Sequence, residues 1–310
     1  MSIGGYLGLE LGRKQNSILD NKMCFNSGRS ACLHYLNQKG IDSLWVPYYI
    51  CGDFVTYLLS NLISINYYNI DTEFKIVSKI PTKDNLLYVN YLGIMDSYIE
   101  TLSEQYTNLI VDNSQALFSE TPNGIPSFYS PRKFLGVPDG GILSSELSDT
   151  LISKAKTYDK CNHLLKQLDL NVEEGYVDFL KNEKHIINSE ISEISEISKK
   201  IIDSVDLDFV MDRRLENYQY LHAYLSKYNR LNLNQKSTFS YPLMVNDGTN
   251  LRKYLIDNKI FTPTLWSDQL DEVTDVEYDL IENIIHLPID QRYSETEMIT
   301  IVKLINQYYE

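Results

Sequence analysis

Long apolar runs are missing from this chain. No stretch approaches the ~20 consecutive apolar residues of a membrane-spanning helix, which argues against an integral membrane protein. The chain does not open with the charged and apolar regions of a secretory signal. Cysteine is scarce. Cys24, Cys32, Cys51 and Cys161 show no paired metal-ligand spacing, so no metal site is expected and the default is a reduced, cytoplasmic protein. An excess of positive charge is also absent. The 28 Lys and Arg against 42 Asp and Glu leave a net charge of -14, which argues against nucleic acid as the main partner. A local basic pocket for one phosphate is compatible with that total. No repeat of solenoid type is present.

What the chain does have is core-forming material. Hydrophobic residues make up 43% of its 310 positions, enough for one large or two modest domains without disulfides. Tyrosine is abundant at 24 residues, which reads mostly as biased composition. Residues 29–38 read as a helix stopped by Gly40, and Asp53 to Asn61 as a second. Leu44–Pro47, Leu62–Tyr68, Leu86–Tyr91 and Leu109–Asp112 read as strands. Largely apolar strands alternating with helices predict an α/β fold with a mostly parallel sheet covered on both faces. Ligands of such sheets bind at the carboxyl ends of the strands. Asn90, Tyr91 and Asp112 fall there, and Pro47 to Cys51 follow another strand.

From Ser145 to Tyr228 the pattern turns helical. Ser189 to Ser198 repeats every three residues, and Ile191, Ile194, Ile197, Ile201 and Ile202 form a stripe that predicts a packed amphipathic helix, with a partner-binding zipper as the alternative. The last hundred residues read as a second unit. Phe239–Val245 and Ile285–Ile289 are strands, Asn250–Asn258 is a helix, and Ser294–Tyr309 is a terminal helix opened by the capping box Ser294-Glu295-Thr296-Glu297. The expected division is a large domain over 1–204, with a helical segment over 145–204, and a small α/β domain over 205–310.

The chemistry-bearing residues come in a definite order. Val111-Asp112-Asn113-Ser114-Gln115-Ala116 ends an apolar run, and Lys133 follows in the Pro- and Gly-rich loop Ser130 to Gly141. A lysine amine can condense with the aldehyde of pyridoxal 5'-phosphate (PLP). A strand-end carboxylate can pair with the protonated pyridine nitrogen of that cofactor. Upstream, Asn26-Ser27-Gly28-Arg29-Ser30-Ala31 has the small residues of a phosphate cradle at a helix start. Each piece also has an ordinary reading: Asp112 as a turn cap, Ser27 as a helix cap, Lys133 as a surface lysine. His34 and His286 read as satisfied core histidines, and Cys51 lacks a visible partner for nucleophilic work.

This order of segments resembles the DegT/DnrJ-type sugar aminotransferases, a family of fold-type I PLP-dependent enzymes. Asn26 to Ala31 resembles the family's Asn-Ser-Gly-Thr-Ala-Ala phosphate loop, and Val111 to Ala116 resembles Glu-Asp-Ala-Ala-Gln-Ala. Lys133-Phe134-Leu135-Gly136 followed by Asp139-Gly140-Gly141 resembles Lys-Asn-Leu-Gly followed by Gly-Asp/Glu-Gly-Gly. Val46 to Cys51 resembles the strand and turn that set an aromatic near the cofactor ring. Ile260 to Trp266 resembles the small-domain strand that faces substrate, and His286-Leu287-Pro288-Ile289 the family's closing strand. The resemblance implies Lys133 as the Schiff-base lysine and Asp112 as the pyridine partner. It implies Gln115 near the ring hydroxyl or Asp112, Tyr49 at the ring or substrate, and Ser27, Gly28 and Arg29 as the phosphate cradle. Arg29 stands where the family has a small hydroxyl residue. The serine that the family carries five residues before the lysine is Phe128 here, leaving Ser127 or Ser130 to replace it. The family's Asn-x-Arg-Met segment, which serves the neighbouring subunit, is not recognisable; Asn188-Ser189 is its faint counterpart, and the helices that precede the phosphate loop are nearly absent. The implied activity is transfer of an amino group, with glutamate as donor, to a nucleotide-linked keto sugar for surface polysaccharide or glycoconjugate, by a homodimer. The alternatives are a noncatalytic binding or regulatory protein of the same fold, and a PLP-dependent sugar-modifying enzyme of other chemistry. In the family, dehydration goes with histidine in place of the lysine, so Lys133 favours amino transfer.

Overall fold

Strands whose every residue is apolar or strand-terminal make the centre of the molecule. The computed structural model describes residues 8–12, 17–147, 153–233, 235–267 and 273–310. In chain order the first elements are β1 (Met23–Phe25), α1 (Gly28–Lys39), β2 (Ser43–Pro47), α2 (Gly52–Ser60), β3 (Ser64–Tyr68), β4 (Leu86–Val89), α3 (Asp96–Gln105), β5 (Leu109–Asp112), β6 (Ser127–Tyr129) and β7 (Gly141–Ser144). The strands form one sheet in the order β1-β7-β6-β5-β4-β2-β3. Strands β3, β2, β4, β5 and β6 run parallel, while β7 is antiparallel to both β6 and β1. All four residues of β4 and of β5 are buried, as a sheet covered on both faces requires. Edge strand β3 instead alternates between exposed and half-buried positions up to the buried Tyr68. Helix α1 starts at Ser27, whose hydroxyl accepts the amide of Ser30, and stops at Gly40 in the left-handed conformation at φ 64°.

The helical stretch holds α4 (Asn162–Asp169), α5 (Val172–Ile187), α6 (Glu196–Ser204) and α7 (Leu207–Leu225). The three-residue repeat does not make one amphipathic helix. Residues 188–195 are non-helical, and α6 begins only after the Ser195 cap. The reason is tertiary. The amides of Asn26 and Ile194 bond to Ser192 O and Cys24 O, and the Glu193 amide bonds to Ser153 O, so this backbone is satisfied by the edge of β1 and by the chain before α4. Ile194 and Ile202 are still buried, in a cluster with Phe134, Leu135, Val137 and Ile142.

The last elements are β8 (Tyr241–Met244), α8 (Gly248–Asp257), α9 (Asp275–Asn283), β9 (Ile284–Leu287) and α10 (Glu295–Tyr309). Strands β8 and β9 pair antiparallel, Tyr241 opposite Leu287. The Ser294/Glu297 capping box is formed at the start of α10. Leu221, Leu225, Leu251, Leu255, Met298 and Ile305 fill the core beside these strands, so the second half of α7 belongs to it while Val210 packs on the Phe134 cluster. Helix α9, which the strand–helix–strand–helix reading leaves out, ties the two parts together. The carboxylate of its fully buried Glu277 accepts the Ile70 amide at 3.0 Å and the Asn69 side-chain amide at 2.9 Å.

Candidate active site

The parallel strands deliver their last residues to one edge of the sheet. Asp112 ends β5 and is buried, and its carboxylate accepts the Ser114 amide at 2.7 Å in a local turn. Lys133 closes a single 3-10 turn opened by Pro131. Its Nζ donates to the Ser114 hydroxyl at 3.0 Å. Ser114 thus stands between the amine and the carboxylate, at a position where the resembling family has alanine. Burial raises the Asp112 carboxyl above its ordinary range, opposed by the Lys133 charge and by hydrogen bonds from Ser114. Crowding by protein atoms lowers the Lys133 amine, although the side chain is exposed along an open cleft. Asp112 and Cys51 oppose that shift, while Arg29 and Arg132 add to it. An amine shifted this way carries more of its neutral, nucleophilic form near neutrality.

The loop that presents Lys133 is fastened from both sides. The Phe134 carbonyl accepts from Arg214 at 3.1 Å and from Gln291 at 2.8 Å, and the Arg214 guanidinium lies 4.8 Å from the Phe134 ring centre. Farther on, the buried Asp139 carboxylate accepts the Ser195 amide at 2.8 Å, the Ser195 hydroxyl at 2.6 Å and the Ser198 hydroxyl. This network locks the loop to the start of α6. Gly140 (φ 148°) and Gly141 follow. A Cβ on Gly141 would sit 2.1 Å from the carbonyl carbon and oxygen of Ser27, so glycine is what lets the lysine loop press on the start of α1.

That contact brings the expected anion cradle beside the lysine. Ser27 and Gly28 form the N-terminus of α1, and Ser130 lies against Gly28, its Cβ 3.7 Å from where a Gly28 Cβ would be. Arg29 is half-buried, and its Nη1 is buried with no hydrogen-bond partner, near the Tyr57 ring. Arg132, pushed down to about 10 by burial and then by Arg29, pairs with Glu183. Ser127 goes elsewhere: it is fully buried, and its hydroxyl accepts from Thr121 at 2.7 Å and meets Tyr129 at 3.3 Å.

Other expected residues have partners within the chain. Gln115 Oε1 accepts the amide of Leu92, which has left-handed backbone at φ 59°; its Nε2 is buried without a partner. Tyr49 lies in an aromatic cluster, stacked on Tyr91 at 5.5 Å and edge-on to Trp266 at 4.4 Å between ring centres. Asn90 spends its amide on Asp96 and Asn113, and Tyr91 donates to the Tyr49 carbonyl. His286 is held at 3.1 Å from the Ser240 hydroxyl, and burial pushes it down to about 3. Ser114 is the residue that sequence reasoning passed over. Its one signal is a hydroxyl in the Asp112 motif where the family has none.

Lys133 opens onto a cleft of about 1360 Å³. One wall is the lysine loop. Another is the pair α4 and α5, through Leu164, Tyr176 and Phe179 among others; the C-terminal loops at Phe261–Pro263 and Pro288–Arg292 close the third side. Residues 260–265 are irregular rather than a strand, but they do reach the cleft. Among the described residues, no group of His, Cys, Asp and Glu is placed to hold a metal ion, and no helix is long and apolar enough to cross a membrane.

No family model matches the sequence, and no curated protein matches it. Solved structures do match. DesV of S. venezuelae, in complex with a ketimine intermediate, superposes with a TM-score of 0.64 at 15% identity, over 94% of this chain and 85% of that one. A DegT DnrJ EryC1 StrS aminotransferase from Brucella abortus gives 0.62 at 13% identity, over 94% and 86%. The E coli GDP-4-keto-6-deoxy-D-mannose-3-dehydratase with bound hydrated PLP gives 0.62 at 15% identity, over 91% and 87%. At these identities the likeness is one of fold. The chain has the fold-type I architecture of these sugar-modifying enzymes.

Proposed function

We propose that this protein is a PLP-dependent aminotransferase that moves an amino group from an amino acid, glutamate being the expected donor, to a keto sugar carried on a nucleotide. The reading continues to a homodimer that supplies amino sugars for surface polysaccharide or a related glycoconjugate. The observation that carries it is the Asp112–Ser114–Lys133 arrangement at the strand ends, beside an anion cradle with an unpartnered arginine nitrogen. The likeness of fold to DesV and its relatives supports the same reading.

The residues present fit the cofactor. Asp112 would hold its pyridine nitrogen, and the α1 N-terminus, Arg29 and Ser130 would hold its phosphate. When bound, PLP supplies an electron sink for charge that develops at the donor's α-carbon. The chain's own part is proton and charge management. Lys133 Nζ is the nucleophile and, when free, the base that takes and returns the α-carbon proton. Crowding lowers its pKa and keeps the amine available for both roles. Asp112 must be ionised for its part. Burial works against that, and the Lys133 charge and the Ser114 hydrogen bonds work for it. The cleft leaves room for a large second substrate above Lys133.

The second reading, dehydration of the sugar, draws on the likeness of fold to the E coli dehydratase. Lys133 counts against it by the family pattern. The deciding experiment adds PLP, then glutamate, to the purified protein in a single-turnover assay. Loss of the visible absorption band with release of one equivalent of 2-oxoglutarate is expected. An unchanged band and no keto acid would overturn amino transfer.

A further inference from the structure

A cation is poorly placed at the start of a helix, where the backbone N–H groups already make a positive end. Helix α1 nevertheless carries Arg29 in its first turn and no acidic residue there, whereas α5 opens with Glu173 and Glu174. The amides of Ser30 and Ala31 are taken up by Ser27, while the Arg29 amide, one residue earlier, has no acceptor within the helix. A second guanidinium comes to the same place from the lysine loop. Arg132 sits in the 3-10 turn between Ser130 and Lys133, and Ser130 lies against Gly28, the residue before Arg29. A Cβ on Gly28 would lie 3.4 Å from the Tyr129 carbonyl, so the two segments pack closely. Their arginines feel each other: after burial, Arg29 is the next influence that lowers Arg132, and both add to the lowering of Lys133. Only 14% of the Arg132 side chain is exposed; Glu183 takes one nitrogen, and Nε is buried without a partner. Three cations thus meet at a positive helix end. The nearby carboxylates are engaged elsewhere. Asp112 is held by Ser114, Asp139 by Ser195 and Ser198, and Glu183 by Arg132, which leaves Arg29 with no hydrogen-bonded carboxylate among the described residues.

We propose that Arg29 and Arg132 are the two prongs of one phosphate clamp, with Ser130 and the start of α1 between them. The proposal rests on the cofactor reading above and deepens it. Arg132, otherwise a tie to α5, becomes a positioning residue for the cofactor's phosphate. A phosphate dianion suits the set. Its three terminal oxygens match two guanidinium forks and a helix end, whereas the two oxygens of a carboxylate would leave donors idle. Its charge offsets the two arginines, whose mutual repulsion is otherwise uncompensated on the Arg29 side. The orphaned nitrogens, Arg29 Nη1 and Arg132 Nε, are the buried donors that such an anion would satisfy. The clamp also reaches the cleft. Glu183 holds Arg132 from the α5 side, so one guanidinium links the cofactor's phosphate to the wall that carries Tyr176 and Phe179.

The test compares PLP with pyridoxal, which has the same ring and aldehyde but no phosphate. Both are titrated into the wild-type chain, Arg132→Gln and Arg29→Gln. Binding is read from the visible absorption band, with circular dichroism as the check on folding. Each variant is expected to lose about 10-fold or more in PLP affinity, the size of one charge-assisted hydrogen bond, with little change for pyridoxal. A changed Lys133 amine would move both ligands together, so the difference between them isolates the phosphate. A second arm needs no variant. The cofactor-free wild-type protein is labelled with phenylglyoxal, with and without inorganic phosphate, and mapped; protection of Arg29 and Arg132 by phosphate is expected. A folded Arg132→Gln protein with unchanged PLP affinity, or with equal losses for PLP and pyridoxal, overturns the clamp, as does labelling that phosphate does not alter. Absence of the band with both compounds in the wild type overturns the cofactor reading instead, and the labelling arm then decides the anion site by itself.

Discussion

On one side of the cleft the loop from Ser130 to Gly141 is fastened at several points: Arg214 and Gln291 hold Phe134, Ser195 and Ser198 hold Asp139, and Gly141 sits against Ser27 with no space for a methyl group. On the other side α4 and α5 lean on each other and on a few polar ties, with their leucines in the open. The first wall presents a reactive amine, whose value depends on position to a fraction of an ångström. The second wall presents a surface, and few of its side chains are buried by the rest of the chain. The comparison teaches where a substitution will be felt. The lysine wall is sensitive through backbone contacts, whereas most side chains of the hairpin wall have few contacts to lose.

Gly141→Ala gives the largest expected effect and tests that contrast at its sharpest. The added Cβ meets backbone atoms, which cannot rotate away, so β7 or the start of α1 must move. Destabilisation by about 3 kcal/mol or more is expected in thermal or urea unfolding. Leu168→Ala in the same assay is expected to change stability by less than about 0.5 kcal/mol, since Leu168 is exposed. Equal effects would erase the distinction between the walls.

Ser114→Ala is a smaller change and probes the reactive end itself. The hydroxyl accepts from the Lys133 ammonium and so favours its charged form. Its loss moves the amine's titration to lower pH, in the direction that burial already sets. The expected shift is at most about one pH unit, worth roughly 1 kcal/mol. It is read in the cofactor-free protein as the pH dependence of reductive methylation at Lys133, followed by peptide mapping. Methylation of the variant should therefore persist to lower pH than in the wild type. An unmoved profile would make Ser114 a bystander.

The sequence announced the lysine wall better than the hairpin wall, and the reasons are physical. The places of Asp112 at a strand end and of Lys133 in the loop beyond it were legible because strand ends and loop composition are local properties. Gly140-Gly141 was legible as a motif, but its cause, the Ser27 backbone, lies far away in the chain. The Ile repeat at 189–198 misled because a period of three suits a helix in isolation, whereas here β1 claims the backbone bonds. Tyr49 could not be told from the other tyrosines by pattern, and its partners Trp266 and Tyr91 come from distant segments. Gln115 belonged to the motif, yet its oxygen serves the turn at Leu92, a conformation that no residue type there advertises. Ser127 and Ser130 differ in facing, which sequence pattern does not show: β6 turns Ser127 toward Thr121, while Ser130 lies beside Gly28.

The central claim is that Lys133 is the amine that receives the cofactor, and trapping tests it most directly. Protein incubated with PLP is reduced with borohydride, digested and mapped. The account predicts one stable cofactor adduct, on the peptide that contains Lys133, and its loss in Lys133→Ala. An adduct on another lysine, or none at saturating PLP, would contradict it.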